Sequence, residues 1–269
     1  LRALKSADEQ EAFATTFERF SRKMWRKPPA RKTFRYDLAI LADPEEGMPP
    51  SDKTALRKFI RAAERHGISA ELIGKRDYPR LAEYDALFIR ETTSVNHHTY
   101  RFAKRAEAEG LVVIDDSQSI LRCTNKIYLA DLLRSHRLPV PATEFLRRDR
   151  DGELERLVTT LGLPMVLKVP DGAFSKGVVK VDTVDELREE SARLLDKSAL
   201  LLAQEFMYTD YDWRIGVLDG KPLYACRYYM VRKHWQIYRH GKRSQSGGFD
   251  AVPLDEVPKA VLDTAVSAC

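Results

Sequence analysis

The sequence lacks any hydrophobic run long enough to cross a membrane, and it is poor in cysteine. Its longest aliphatic stretches are as short as Leu38–Ala42 and Ala199–Ala203, whereas a membrane-spanning helix needs about 18 or more apolar residues. The three cysteines, Cys123, Cys226 and Cys269, are scattered and form no CxxC or Cys/His pair. These absences exclude an integral membrane protein and disfavour a disulfide framework or a structural zinc site. Reduced thiols in a cytoplasmic protein are therefore expected.

Several common motifs are also missing. The sequence contains no signal peptide, no internal repeat, no GxxxxGK[ST] motif and no GxGxxG motif. A P-loop and a Rossmann dinucleotide site are therefore not expected. The chain begins with Leu1 instead of Met and stops inside a predicted helix, so we expect it to be part of a longer protein.

The composition is that of a folded protein with a modest positive charge. The 269 residues are 43% hydrophobic and 32% charged, which fits one large domain or two ordinary ones and excludes disorder as the main state. A net charge of +5 and a pI near 9.0 favour an anionic partner. Positive charge is densest in Arg19–Arg35, where a solvated leader is the simple interpretation and nucleic-acid binding is the alternative.

The first 120 residues are predicted to form a leader and a parallel-sheet domain. Residues 1–34 are predicted to be a basic helical leader, and residues 35–120 alternate strands with helices, which is typical of βαβ units. The predicted strands are Tyr36–Ala42, Ile68–Ile73, Tyr84–Ile89 and Leu111–Ile114, and the predicted helices cover 51–67 and 97–109.

Residues 121–269 are predicted to form a second domain of mixed helices and strands. Two apolar runs around a glycine-containing loop predict one hairpin, and Asp219-Gly220 predicts another. The predicted helices are Asn125–His136, Glu153–Leu161, one capped by Thr183 and one from Leu254, and Pro139–Thr143 is predicted to be extended. The predicted strands are Pro164–Val169, Gly177–Val181, Ala199–Phe206, Asp212–Leu218, Pro222–Val231 and Trp235–Tyr238.

The first hairpin carries a candidate phosphate site. Lys168 stands in the apolar strand PMVLKV, where an unpaired ammonium is costly. Gly172 and Gly177 let the backbone approach an anion, and Lys176 can neutralise it. The alternative is an edge lysine on an ordinary hairpin.

The strand ALLLAQEF carries a candidate purine site. Its long apolar run ends in Gln204, Glu205 and Phe206. Backbone groups there can read an adenine edge, apolar side chains can sandwich the ring, and a carboxylate can accept ribose hydroxyls. The alternative is a strand that simply emerges at the surface.

A third cluster combines one aspartate with two arginines. Asp212 and Arg214 are two residues apart on a strand and share a face. Arg227 follows across the second hairpin, and we expect it to point to the same side. Two converging guanidiniums would bind a phosphate or a developing acyl phosphate. The alternative is a cross-strand salt bridge, which contributes little.

The order of these clusters resembles that of the ATP-grasp superfamily, and within it the RimK-type glutamate ligases. The stretches that carry the resemblance are Asn125-Lys126, PVPAT at 139–143, LPMVLKVPDG at 163–172, LLAQEF at 201–206 and DWRIGVLDGK at 212–221. Residues 84–116 resemble the domain that precedes RimK-like modules. The resemblance implies an α/β and α+β protein, in which a parallel-sheet pre-ATP-grasp domain precedes an ATP-grasp fold of two α+β subdomains, here 121–269 and C-terminally incomplete.

The resemblance also implies roles for these residues. Lys126 and Lys168 would contact ATP phosphates, Glu205 and Phe206 would form the adenine hinge, and Asp212 would lie at the ribose. Arg227, with Arg214 beside it, would face the γ-phosphate and an acyl phosphate that an amine then attacks. The family's Mg²⁺ ligands follow the last helix, so they are expected beyond residue 269 and none is assigned here.

Several interpretations remain open at this point. The resemblance implies a ligase whose acceptor would be a peptide, a protein or a small acid, and the amino acid added would be one such as glutamate. The alternatives are a non-catalytic RNA- or ribosome-binding module and a ligase of the glutathione-synthetase type, and a homo-oligomer is compatible with each. Arg90, at the end of a predicted strand, is a candidate substrate ligand. His97 and His98 have no partner at ligand spacing, so surface or capping roles are expected for them.

Overall fold

The structure is a computed structural model that describes residues 6–22, 34–148, 152–172, 177–239 and 245–269. Helix α1 spans Ala7–Arg22, and its side chains are exposed as far as residue 18. The rest of the basic segment, residues 23–33, lies outside the described residues, as does Lys176. None of the described helices is long and apolar enough to cross a membrane.

The N-terminal part is a four-stranded parallel sheet, as the alternating pattern predicts. Its strands are β1 (Tyr36–Leu41), β2 (Ile68–Ile73), β3 (Ala86–Ile89) and β4 (Val112–Ile114), in the order β2-β1-β3-β4. The helices between them are α2 (Lys53–Arg65) and α3 (His98–Ala108). The Asp52 carboxylate caps α2 by accepting from the Ala55 N–H at 2.7 Å. Leu41, Leu87 and Phe102 lie in the buried core that joins these elements.

Two helices of this part were not predicted from the sequence. A 3₁₀ helix covers Lys75–Glu83 between β2 and β3, and α4 covers Ser117–Thr124 after β4. The 3₁₀ helix contains Pro79, and proline is disfavoured inside a helix, whereas α4 is only 8 residues long and buries only Ser117 and Ile120. The internal proline and the short length explain why neither helix was predicted.

The next part is an antiparallel sheet with two helices on one face. Its strands are β5 (Thr143–Arg147), β6 (Met165–Lys168), β7 (Val178–Val181) and β8 (Leu200–Glu205), in the order β5-β8-β6-β7. The helices of this region are α5 (Lys126–Ser135), α6 (Glu153–Leu161) and α7 (Val184–Leu195). Thr183 caps α7 through the Glu186 N–H at 3.2 Å, as predicted. Leu157, Leu167 and Leu201 are fully buried between this sheet and its helices.

The last part is a smaller antiparallel sheet. It pairs β9 (Tyr211–Leu218), β10 (Lys221–Tyr229) and β13 (Phe249–Val252) in the order β13-β10-β9. A two-residue ladder joins β11 (Tyr238–Arg239) to β12 (Gln245–Ser246), and α8 (Lys259–Ala268) packs on the sheet. The predicted strand Trp235–Tyr238 is wrong, because only Tyr238 of that segment joins a strand.

Candidate functional site

A cavity of about 670 Å³ lies between the second and third sheets. Its walls come from the ends of β6 and β8, from β9, and from residues 235–238. The predicted site residues that line it are Lys126, Lys168, Gly172, Gln204, Glu205, Phe206, Asp212 and Arg214. The fold thus brings together three clusters that are well separated in the sequence.

Lys168 reaches the cavity from the last position of β6. Its Nζ donates to Gln204 Oε1 at 2.5 Å, and the Gln204 amide donates in turn to Thr143 Oγ1 at 2.9 Å. Burial lowers the pKa of Lys168, the charge of Lys126 lowers it further, and Asp212 acts in the opposite direction. A partly desolvated ammonium that lacks a carboxylate hydrogen-bond partner is well suited to an anionic ligand.

Lys126 opens α5 and ties that helix to the segment 170–172. Its backbone N–H donates to the Pro170 carbonyl at 3.1 Å, and its Nζ contacts the carbonyl of Gly172. The preceding Asn125 caps the helix and donates to Asp171 at 3.0 Å. Burial lowers the pKa of Lys126 as well. The second lysine is thereby positioned against the start of the hairpin loop.

The end of β8 forms the wall that the sequence analysis assigned to a purine. The Glu205 N–H donates to the Ala142 carbonyl at 2.9 Å, and Glu205 Oε1 accepts from the Ala142 N–H at 2.7 Å. Phe206 lies under the Lys180 ammonium, 5.0 Å from it, and packs edge-on against Trp235 at 5.9 Å. The wall is therefore an aromatic pair next to a strand end. Trp235 was missed as a site residue because its neighbourhood was predicted to be a strand.

Asp212 and Arg214 project into the cavity from β9, as their spacing predicts. Asp212 Oδ1 accepts from Thr209 Oγ1 at 3.1 Å. The Arg214 guanidinium lies 4.6 Å from the Tyr228 ring centroid, and Tyr228 is opposite Asp212 in the register.

The expectation that Arg227 joins Arg214 is wrong. Arg227 is opposite Trp213, whereas Arg214 is opposite Cys226, so the two arginines lie on opposite faces of the sheet. A regular hairpin would place Arg227 opposite Asp212, but the register shifts by one residue between Pro222 and Tyr224. Such a bulge turns every later side chain to the other face.

Arg227 makes its contacts on that other face. Its guanidinium lies 5.3 Å from the ring centroids of both Tyr211 and Trp213, and Nη1 is 3.9 Å from Asp250. It is not among the residues that line the cavity.

Gly177 closes the first hairpin but does not line the cavity. Its carbonyl accepts from the Val169 N–H at 2.9 Å, and its φ of +69° is one that side chains rarely adopt. A Cβ at this position would lie 2.3 Å from Val169 Cγ2. The structure therefore gives this glycine a role in packing at the base of the loop.

Arg90 lines a second cavity of about 640 Å³, together with Asp115. Lys126 and Gly172 line both cavities, so the two adjoin. Arg90 donates from Nε to Ser51 Oγ at 2.8 Å and from Nη2 to the Pro50 carbonyl at 2.9 Å. Burial raises the pKa of Asp115, against the effect of the nearby Arg90 charge. The sequence signal for Asp115 was its place directly after a parallel strand.

The cavity does not contain a ready magnesium site. Its carboxylates, Glu205 and Asp212, each accept a hydrogen bond from the protein, and no group of three metal-ligating side chains occurs there within the part of the chain that the structure describes. The described residues that line the cavity therefore do not fit Mg²⁺ by themselves.

The surface role expected for His98 is wrong. His98 is buried, with 8% of its surface exposed, and its Nε2 is 2.6 Å from the Glu91 carboxylate. His97 occupies the cap position of α3 without a side-chain capping bond. The partner of His98 was not recognised because Glu91 lies outside α3, in the segment between β3 and that helix, so helical spacing does not relate the two residues.

Comparison with known proteins gives partial sequence matches. No protein-family model matches the chain. It is 23% identical over 229 residues to "Probable alpha-L-glutamate ligase" of Rhodopirellula baltica, covering 79% of this chain and 55% of that protein. It is 34% identical over 101 residues to "Alpha-aminoadipate--LysW ligase LysX" of Saccharolobus solfataricus, covering 38% of this chain and 36% of that protein. The chain thus spans about half of the first relative and about a third of the second.

Solved structures match more of the chain. The D-cycloserine synthetase DcsG aligns with a TM-score of 0.64 at 18% identity, covering 86% of this chain and 79% of that one. D-alanine–D-alanine ligase from Bacillus anthracis aligns with a TM-score of 0.61 at 14% identity, covering 87% and 79%. PsnB, solved with a precursor variant, Mg and ADP, aligns with a TM-score of 0.59 at 16% identity, covering 86% and 80%. These likenesses establish a shared fold, and they confirm the predicted fold class.

Proposed function

We propose that this chain, which shares the fold of the ATP-grasp ligases and resembles RimK-type ligases in sequence, binds ATP and supports amide-bond formation between a carboxylate and an amine. The observation that carries the proposal is the convergence of Lys126 and Lys168 on one cavity with the strand end Gln204–Phe206. Two partly desolvated ammonium groups and an aromatic wall on the same cavity match the phosphates and the base of a nucleotide.

In the proposed reaction, a substrate carboxylate oxygen attacks the γ-phosphorus of ATP, and ADP leaves. The amine then attacks the acyl carbon, and inorganic phosphate leaves as the amide bond forms. Lys126, Lys168 and Arg214 would offset negative charge on the phosphate oxygens, and Asp212 would accept from ribose hydroxyls. Catalysis of this kind depends mainly on positioning and charge stabilisation. Lys176 stays a predicted phosphate ligand.

The second cavity is the proposed place for the acceptor. Arg90 would hold a substrate carboxylate and Asp115 an amino group, because these two side chains line the cavity that adjoins the lysine pair. This arrangement suits an amino acid or peptide terminus. The identity of the amino acid, the acceptor and any oligomer remain predictions. The ligase names of the relatives do not favour the RNA-binding or glutathione-synthetase-like alternatives.

Nucleotide binding by a lysine variant tests the proposal. We expect Lys168→Ala to raise the Kd for ATP by at least about tenfold, because a charge-assisted contact to phosphate is lost, and to abolish amino-acid-dependent ADP formation. Isothermal titration calorimetry measures the first effect and a coupled ADP assay the second.

Lys197→Ala is the matched control, since Lys197 is an exposed lysine outside the cavity. The proposal fails if Lys168→Ala binds ATP as tightly as the wild type while Lys197→Ala does the same.

A further inference from the structure

A group of metal-ligating side chains lies at the carboxyl end of the parallel sheet. Glu91 follows β3, and His97 and His98 stand at the start of α3. One ligand atom from each of the three side chains lies within 4.8 Å of the other two. It is the only such group within the described ranges, and none of its members lines the proposed nucleotide cavity.

Two members of the group are buried and have unsatisfied atoms. Glu91 is 4% exposed and His98 is 8% exposed. Glu91 Oε1 and His98 Nε2 have no hydrogen-bond partner, although Nε2 is only 2.6 Å from the other Glu91 oxygen. The contact between these two side chains therefore lacks the geometry of a hydrogen bond. Buried polar atoms normally have partners, and a shared cation would satisfy both.

His97 completes the set from the solvent side. It is exposed, and its ring centroid is 4.0 Å from that of His98. His97 Nδ1 is 3.2 Å from Thr99 Oγ1, which leaves Nε2 as the free ligand atom. A second hydrogen bond of this type orients a metal-binding histidine. The exposed side keeps a further coordination position open to solvent.

We propose that Glu91, His97 and His98 bind a divalent transition-metal ion, with Zn²⁺ as the best match. Two imidazoles and one carboxylate with an open position form a ligand set that zinc accepts in proteins. The ion would join the segment after β3 to the start of α3. Because Arg90 directly precedes Glu91, this would hold one wall of the second cavity in place.

Cobalt titration of the metal-free full chain tests the site. Co²⁺ is the probe, because its visible d–d absorption reports coordination by protein ligands. We expect one Co²⁺ per chain, displaced by Zn²⁺. His97→Ala should weaken Co²⁺ affinity by at least about tenfold, and as an exposed position it should leave the fold intact. Glu91→Gln is the second variant.

His66→Ala is the matched control, because His66 is an exposed histidine at the end of α2; it should bind Co²⁺ like the wild type. Absence of stoichiometric Co²⁺ binding by the wild type would overturn the proposal, as would unchanged affinity in folded His97→Ala. A sulfur-to-cobalt charge-transfer band that disappears in Cys123→Ser or in Cys269→Ser would assign the ion to an exposed thiol and would equally overturn the proposal. If Glu91→Gln does not fold, the Co²⁺ affinity of His97→Ala alone tests the proposal.

Discussion

At the scale of single residues, Gly177 illustrates a position where backbone geometry and packing coincide. The predicted role of this glycine was to let the loop approach a phosphate, and the structure adds a contact that a side chain would break. We expect Gly177→Ala to lower the free energy of unfolding by about 1–3 kcal/mol, because a positive φ and a clash with Val169 both oppose the methyl group. Urea unfolding followed by circular dichroism measures this loss.

Gly67→Ala is the matched control for the same measurement. Gly67 has a φ of +73°, and nothing lies within 4 Å of an added Cβ, so only backbone strain should count there. Equal losses for the two variants would show that the Val169 contact contributes nothing.

At the scale of elements, the bulge in β10 determines which arginine faces the cavity. Arg214 faces the cavity, and Arg227 packs on Tyr211 and Trp213 on the other side. We expect Arg214→Ala to raise the Kd for ATP by about tenfold or more, since a bond between charged groups is lost. Arg227→Ala should leave that Kd unchanged and lower the melting temperature. Calorimetry and thermal unfolding of both variants check this, and a loss of ATP affinity confined to Arg227→Ala would contradict the register.

At the scale of the whole molecule, the proposed nucleotide cavity lies between two sheets that have separate cores. Leu167 and Leu201 belong to one core, and Ala225 and Val252 to the other. A ligand between the two sheets should stabilise both, and mass action predicts about 2.7 kcal/mol at a concentration of 100 times Kd. We expect a non-hydrolysable ATP analogue to slow amide hydrogen exchange at Gln204–Phe206 and in 235–238 together.

Mass-spectrometric hydrogen exchange with and without the analogue measures this protection, and Lys168→Ala serves as the control that should lose it. Protection limited to the N-terminal parallel sheet would place the nucleotide elsewhere.

The sequence by itself determined most of the helices and strands and eight of the residues that line the cavity. Lys168, Gln204 and Asp212 were identified because apolar periodicity locates a strand and shows where polar residues break it, and both signals are local. The two lysines and the strand end were then found on one cavity, as the resemblance implied.

Only the tertiary structure decided on which face of the sheet Arg227 lies and that His98 contacts Glu91. A single extra residue in β10 reverses the face of everything after it, and nothing in the local pattern marks it. The histidine and the glutamate meet because β3 ends beneath the start of α3. Strand register and contacts between distant elements depend on how the whole chain packs. The periodicity of a single segment does not report the free energy of that packing.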